Sequence, residues 1–578
     1  MGNFWEAFVS NGIFPGPNIR VTADSHAHSE SALMVDPKNA DRLLGASKRF
    51  TDPQHYVFSL APVVSTDGGG TWPTLPPFPP PANHDIYTDP STTFDTSGAA
   101  WVMGDPGFFS AQHESLYQTL GCSDGQDIQT THMLAQKSVN DGALWSPVPV
   151  LGVRCSGDDK GWLYCDNSTA VNIVPPNHPG GWPKPRPASP YHGRLYAVWA
   201  ASTPLRFARS LDGGQTWVGA GNQPAGADIG PFGYAPDLAI GRDGTLHVFS
   251  HFPGSSSIQY WRSQDGGQTF VGDGTLNGGL PNPRDIVTNL GDISTQSLSG
   301  GPITQSGGWP VFEGANFRVI TIVAACCFGD QGVAVAWSDA RSGHARIYYR
   351  LSTDGGTTWL GDPSGTPLLP NLAGDSHQFH PQLATTGSDV IGCAMYSYSK
   401  TAIVAAKPGV SVLVAASFDD GSTFDFTPIT DQPWDPSIGA PFSHGDPNVT
   451  FIGEYFGFDA GKTEFHVLWT DTRHNNQDLF YCRVETQQVR DPRDWLPELV
   501  ATYVSPGVSR DGGGFVIVGG HIIRIPPWDP LRSALDVLVA INSVSRIGAS
   551  ASATRAREAL YGLLADIANQ AKKQVKEG

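Results

Sequence analysis

The chain has 578 residues, too many for one ordinary core unless a small unit repeats, so several domains or a repeat array is expected. Glycine (67) and proline (47) make it turn-rich, while 16 Trp, 16 Tyr and 28 Phe supply core material that a disordered chain lacks. Only 36 Lys and Arg stand against 54 Asp and Glu, and the net charge of -18 argues against a polyanion such as nucleic acid as the main partner.

The first residues, Met1 to Glu6, show neither a basic stretch nor an apolar one, so this numbering carries no secretory leader; the mature form of a cleaved precursor would read the same. The longest nearly apolar run, Val319 to Phe328, is about half of what a membrane-spanning helix needs, and no span is expected. Seven cysteines, an odd number without a C-x-x-C pair, argue against a zinc site and a full disulfide framework, although Cys155 and Cys165 could bridge one loop.

After an N-terminal arm (1–17), one motif recurs, Ser-x-Asp-x-Gly-x-Thr-Trp/Phe. It reads Ser65-Thr66-Asp67-Gly68-Gly69-Gly70-Thr71-Trp72 and returns at Ser210 to Trp217, Ser263 to Phe270, Ser352 to Trp359 and Ser417 to Phe424, with a decayed copy at Ser138 to Trp145. Its central positions, 67, 140, 212, 265, 354 and 419, lie 53 to 89 residues apart, the length of a four-stranded unit plus loops. The motif is a turn: Asp accepts from its own backbone N–H groups, glycine supplies positive φ, and the aromatic residue plugs the space between strands. A strand-like run precedes each unit's turn: Arg42–Ala46, Ala99–Met103, Arg194–Trp199, Thr245–Phe249, Gly332–Trp337, Asp389–Met395 and Glu464–Trp469.

These repeats resemble the Asp-box, or BNR-repeat, β-propellers of the sialidase-like superfamily, over roughly residues 20–485. The resemblance implies an all-β propeller over 18–485, with each box between the third and fourth strands of a blade and the ligand on the opposite face. Seven runs against six boxes predict seven blades, with six, as in sialidases, as the alternative. The seventh run has no box, and Asn18–Thr22 is expected to complete its blade and close the ring. Beyond a linker, Phe515–Val518 and His521–Ile525 around Gly519-Gly520 read as a hairpin within 486–528. Helices over 531–547 and 552–576 form the tail (529–578), whose apolar stripe is expected to cover the propeller or to bind a partner or a second copy.

The loops away from the boxes then define the candidate site. Entry loops supply Asp24 to Glu30, His84 to Asp89, Asp158-Asp159-Lys160, Gly233-Tyr234, Asn316-Phe317-Arg318, His377 to His380 and Gly453-Glu454-Tyr455. Loops between second and third strands supply Lys48-Arg49, Asp105, Ser338 to Arg341 and Thr470 to Arg473. The resemblance implies an arginine triad, for which Arg318, Arg341 and Arg473 are the candidates, and a Tyr–Glu pair, Tyr455 with Glu454. It also implies an acid, Asp89 or Asp159. His26, His28 and Glu30 alternate onto one face of an extended segment and join the binding candidates. Trp-x-Asp-x-Arg occurs twice, at 337–341 and 469–473, and an Asp–Arg pair bracing each loop explains it equally well. The Arg-Ile-Pro signature of the sialidase first blade is absent from the first entry loop.

The expected function is a glycan-processing enzyme, a glycoside hydrolase or polysaccharide lyase, acting outside the cell or at its surface, with a cytoplasmic place or export by a non-classical route as the alternative. The alternative is a non-catalytic glycan- or protein-binding propeller in a larger assembly. No cofactor follows from the sequence, and calcium is the one metal it leaves open.

Overall fold

The computed structural model describes residues 12–121, 128–150, 157–169, 171–173, 184–186, 188–201, 204–293, 303–306, 308–312, 314–370, 372, 376–404, 407–487, 507–508, 514–518 and 521–525. The predicted tail helices lie outside these residues. The chain divides into two units, one of 13–174 and 181–486 and another of 1–12, 175–180 and 487–578.

The first unit is a seven-bladed β-propeller, its blades built of antiparallel strands in chain order. Blade 1 comprises His28–Asp36, Asn39–Asp52 and Val57–Ser65. Blade 2 comprises Ile86–Phe94, Ala100–Phe109, Leu134–Ser138 and Ser146–Pro149. Blade 3 has Asp158–Cys165, Leu195–Ala201, Leu205–Ser210 and Ala227–Gly230, and blade 4 has Asp237–Ile240, Leu246–Ser250, Ile258–Ser263 and Arg284–Val287. Blades 5 and 6 start at the inner strands Val323–Phe328 and Ser376–Thr385 and end at Thr366–Pro367 and Asp425–Pro428. Blade 7 pairs Gly457–Ala460, Glu464–Asp471 and Asp478–Gln487, and its outer side is completed by the N-terminal segments Gly12–Pro15 and Ile19–Arg20. Ile19 stands opposite Tyr481 and Arg20 opposite Phe480, so the expected strand from the chain's beginning does close the ring.

Every recurrent turn follows the third strand of its blade, at Ser65, Ser138, Ser210, Ser263, Ser352 and Ser417. In blade 3, Ser210 Oγ donates to Asp212 Oδ1 (2.8 Å) and accepts from Gly214 N (2.8 Å), while Asp212 accepts from Thr216 N (2.9 Å) and Thr216 Oγ1 (2.6 Å). The second glycine has a further task, because it lies against the preceding blade. A Cβ on Gly214 would fall 2.2 Å from Trp101, on Gly356 2.0 Å from Tyr260 Oη, and on Gly69 2.1 Å from Tyr481, where the ring closes. The positive φ of these glycines (88, 77 and 92°) and this close approach together exclude a side chain. Large aromatics such as Trp101, Trp199, Trp261, Trp337 and Trp469, all fully buried, fill the blade interfaces.

Carboxylates also join blades near the axis. Asp237 Oδ1 accepts from Tyr164 Oη in blade 3 and its Oδ2 from Ala325 N in blade 5, both at 2.7 Å. Asp459 Oδ2 accepts from Val35 N (2.7 Å), linking blade 7 to blade 1. All seven inner strands line an axial cavity of about 350 Å³ that holds both groups. Cys165 is a free thiol, not bridged as the sequence allowed, and burial pushes it up to about 12. In the second unit Gly514–Val518 and His521–Ile525 pair as a hairpin, with Val518 opposite His521 as the Gly-Gly turn requires. No helix among the described residues is long and apolar enough to cross a membrane.

Candidate active site at the centre of the ring

Four inner strands carry the same irregularity at their beginnings. The register shifts between Ser29 and Ala32, Thr88 and Ser91, Asp159 and Trp162, and Phe379 and Gln382. Within these bulges Glu30, Asp89, Lys160 and His380 adopt left-handed φ values of 48, 51, 51 and 49°. Non-glycine residues rarely do so, and strain at one position in four blades marks a place where side chains are re-aimed. All four are buried, although two are acids and one a lysine.

They meet other buried ions at the axis. Lys48 Nζ contacts Glu30 Oε2 and lies 3.3 Å from Asp89 Oδ1. Lys160 Nζ is 2.5 Å from Glu454 Oε2 and 3.7 Å from Glu30 Oε1, and Arg318 Nε is 2.7 Å from Glu454 Oε1. Asp89, Asp105 and Asp159 each place a carboxylate oxygen within 4.8 Å of the others. Asp159 is the partly exposed member of the three. Aromatic rings enclose the cations: Lys48 Nζ lies 4.7 Å from the Phe58 ring centre and 5.0 Å from Phe451, and the Arg318 guanidinium 4.6 Å from Trp309. Arg318 also reaches His444, which stacks between Tyr56 and Trp309. Beneath the charges Ala235, Ile320, Ile322 and Tyr455 form an apolar layer.

Burial works against every charge here, and the neighbours decide the outcome. Burial alone would raise Glu454, but Arg318 and Lys160 reverse this and hold its carboxyl down at about 2. Asp89 is likewise held well below its usual range by Lys160 and Lys48 against burial. Asp159 goes the other way: burial, with Asp89 and Glu454 nearby, outweighs Lys160 and lifts it well above the usual carboxylate range. Asp105 is lifted well above as well, by burial and by Asp89 and Asp159. Burial pushes His380 down to about 3, so its ring is neutral, and among the described residues neither ring nitrogen has a hydrogen-bond partner. Burial raises the Tyr455 phenol well above its ordinary value, with Asp89 and Glu30 adding to it.

The structure thus brings together Glu30, Asp89, Asp159, Arg318, Glu454 and Tyr455 from the sequence candidates. Arg341 is held by Asp339, with Nε 2.9 Å from Oδ1, and Arg473 by Asp471, with an Nη2–Oδ2 distance of 2.7 Å; among the described residues neither has an ion pair with the central cluster. His28 is buried between Ser47 Oγ (2.9 Å) and Asp24 Oδ1 (3.0 Å), and His26 meets Arg49 at the rim. Lys48, Asp105, Lys160 and Tyr234 are legible in the sequence only as loop residues without a role, His380 also as a metal or ligand candidate beside His377, and nothing in the sequence marks Tyr56 or His444. One signal was available: Asp89-Pro90, Ala235-Pro236 and His380-Pro381 each place proline after a left-handed residue at the same point of a blade.

No family model and no curated protein matches the chain. Among solved structures, a protein of unknown function from Dyadobacter fermentans aligns with 13% identity and a TM-score of 0.40, over 70% of this chain and 98% of that one. An ulvan lyase of polysaccharide lyase family PL25 aligns with 9% identity and a TM-score of 0.45, over 82% and 96%. The NanB sialidase from Streptococcus pneumoniae aligns with 13% identity and a TM-score of 0.34, over 82% and 71%. Overlaps of this extent leave the architecture to the strand pairing itself, and by that pairing the chain is a seven-bladed β-propeller.

Proposed function

We propose that the chain is a glycan-processing enzyme of the hydrolase or lyase class, an Asp-box propeller of the sialidase-like type working outside the cell or at its surface, with Asp159 as proton donor. The observation that carries this reading is the opposite displacement of two carboxyls within 4.8 Å of each other: Asp89 is pushed below the ordinary carboxylate range by Lys160 and Lys48, and Asp159, partly open to solvent, is lifted above it by burial and by Asp89. Neighbouring carboxyls whose proton affinities are driven apart are how a site holds an acid and a base at one pH. In both reaction classes the departing sugar oxygen takes up a proton, and Asp159 supplies it. Asp89 and the carboxylates behind it favour the positive charge that develops on the sugar ring during hydrolysis.

Glu454 has one oxygen on Lys160 and the other on Arg318, so it positions these cations rather than taking a proton. Arg318, Arg341 and Arg473 each answer a carboxylate of the chain itself, which favours an uncharged sugar over an acidic one at the cleaved bond. The same pairing favours a second reading, a glycan-binding propeller without turnover.

The test is a panel of aryl glycosides and polysaccharides, with release of sugar and formation of unsaturated product both followed, for wild type, Asp159→Asn and Glu454→Gln. Asp159→Asn is expected to lower kcat about 100-fold or more on natural leaving groups and much less on acidic phenols, which leave without a proton. Binding on a glycan array without turnover of any substrate supports the second reading, and equal turnover by wild type and Asp159→Asn removes the donor role.

A further inference from the structure

We propose that Asp89, Asp105 and Asp159 form a site for one calcium ion on the axis of the ring. The three carboxyls come from the inner strand of blade 2, the second strand of the same blade and the start of blade 3, and Thr88 stands directly opposite Asp105 in the sheet. Their ligand oxygens fall within 4.8 Å of one another. Calcium–oxygen bonds of about 2.4 Å place two ligands on opposite sides of the ion up to about 4.8 Å apart, whereas magnesium, at about 2.1 Å, demands a tighter set.

Asp105 supplies the independent sign of a ligand. It is fully buried, and neither of its oxygens has a hydrogen-bond partner among the described residues. Buried polar groups are rarely left in that state, because an unmade bond there costs the full desolvation of the group. Its free oxygens lie in a cluster with Asp89 and Asp159, each offering a ligand oxygen within 4.8 Å of the others.

The charge balance points the same way. Five acidic side chains (Glu30, Asp89, Asp105, Asp159 and Glu454) share this interior with three basic ones (Lys48, Lys160 and Arg318), and His380 adds none. With all five ionised the excess is two negative charges, which one divalent cation cancels; without a cation, burial lifts Glu30, Asp105 and Asp159 toward their neutral forms instead. Lys48 does not take that place: its ammonium lies on Glu30 and on Asp89 Oδ1, and among the described residues Asp105 has no ion pair of its own.

The site stands independently of the proposed reaction but meets it at Asp159, since a carboxyl that ligates calcium carries no proton to give; the cation would therefore be an inhibitor. The experiment uses the full-length protein freed of metal with EGTA. Calcium binding is followed by calorimetry and terbium binding by luminescence sensitised through tryptophan, for wild type, Asp105→Asn and Asp159→Asn, each checked for folding by thermal melting. One calcium per chain, with affinity at least tenfold weaker in both variants, is expected. No binding by wild type up to about 10 mM, beyond the range of known calcium sites, overturns the proposal, as does undiminished binding by Asp105→Asn or equal affinity for magnesium. Calcium binding by a protein that cleaves no glycan would sink the proposed reaction and leave the calcium site standing.

Discussion

Lys160 Nζ lies 2.5 Å from Glu454 Oε2 with both side chains buried, which ties blade 3 to the approach of blade 7 across the centre of the ring. Such a pair repays its desolvation only while both partners are present. Lys160→Met would leave Glu454 with Arg318 alone, and Glu30 and Asp89 with Lys48 alone. The expected loss is about 3–5 kcal/mol, the scale for a buried charge stripped of its partner. Arg341→Met, at the more exposed edge of blade 5, is expected to cost clearly less. Urea unfolding of the two variants side by side measures the difference, and equal losses would show that the central pair is not under strain of burial.

Stability against pH should carry the mark of the axial cavity. Burial lifts Asp237 and Asp459 to about 6, against backbone donors that pull them down, so their folded values exceed the ordinary 3.8. A raised carboxyl favours the folded state at low pH, and this stability is lost as pH rises from about 4 through about 6. Each group contributes a slope of up to about 1.4 kcal/mol per pH unit in that window. Glu454, held at about 2 against an ordinary 4.5, acts in the opposite sense, its contribution being lost as pH falls below about 4.5. Asp459→Asn keeps an oxygen for Val35 N and removes the titration. Urea midpoints at pH 4, 5, 6 and 7 are expected to fall less steeply in the variant, and parallel curves would refute the assignment.

Much of the ring was written locally. The turn chemistry of Ser, Asp and Gly sits within eight residues, and the runs from Arg42–Ala46 to Glu464–Trp469 begin within three residues of the second strands, several of which continue beyond them. Closure by Ile19 was legible because a blade lacking its turn needs an outer strand from elsewhere. The centre was legible only as a set of loops. Nothing near Arg341 or Arg473 in the sequence decides whether each reaches the axis or turns back to the Asp two residues before it; folded, both turn back. Lys160 meets Glu454 only because the ring is closed, and Tyr56 and His444 reach Arg318 and Lys48 from loops that repeat no pattern.

The decayed turn of blade 2 offers a gain of stability. Asn140 Oδ1 accepts from Ser138 Oγ (3.0 Å) and Leu144 N (2.9 Å), but position 144 has no hydroxyl to complete the loop as Thr216 and Thr358 do in their blades. Leu144 is 73% exposed, so its side chain contributes little burial. Asn140→Asp with Leu144→Thr restores the missing bond, and about 0.5–1.5 kcal/mol of added stability is expected, the net value of one such bond. The double variant should exceed the sum of the two single ones, because neither alone makes the bond. Strict additivity in chemical unfolding would mean that the bond does not form.

The ring's closure can be tested at its weakest joint. Among the described residues, the segment from Gly12 to Thr22 covers the outer edge of blade 7: Gly16 N donates to Arg483 O (2.8 Å), Val21 N to Leu479 O (2.8 Å), and Arg20 pairs with Asp478 at 2.7 Å. Ile19 and Val21 pack beside Leu468, Leu479 and Tyr481, the side chain that Gly69 of blade 1 touches. A chain starting at Asp24 would therefore expose the backbone of Asp478–Gln487 as a free strand edge and loosen the contact between blades 7 and 1 together. Uncovered edges of this kind recruit other chains. The shortened protein is expected to melt at lower temperature and to form oligomers by light scattering, and a synthetic peptide of residues 12–23 added in trans should reverse both. A shortened protein that stays monomeric with unchanged melting would show that three strands suffice for blade 7, as they nearly do for blade 1, where only the bridges Leu60–Phe78 and Val63–Thr74 stand for a fourth.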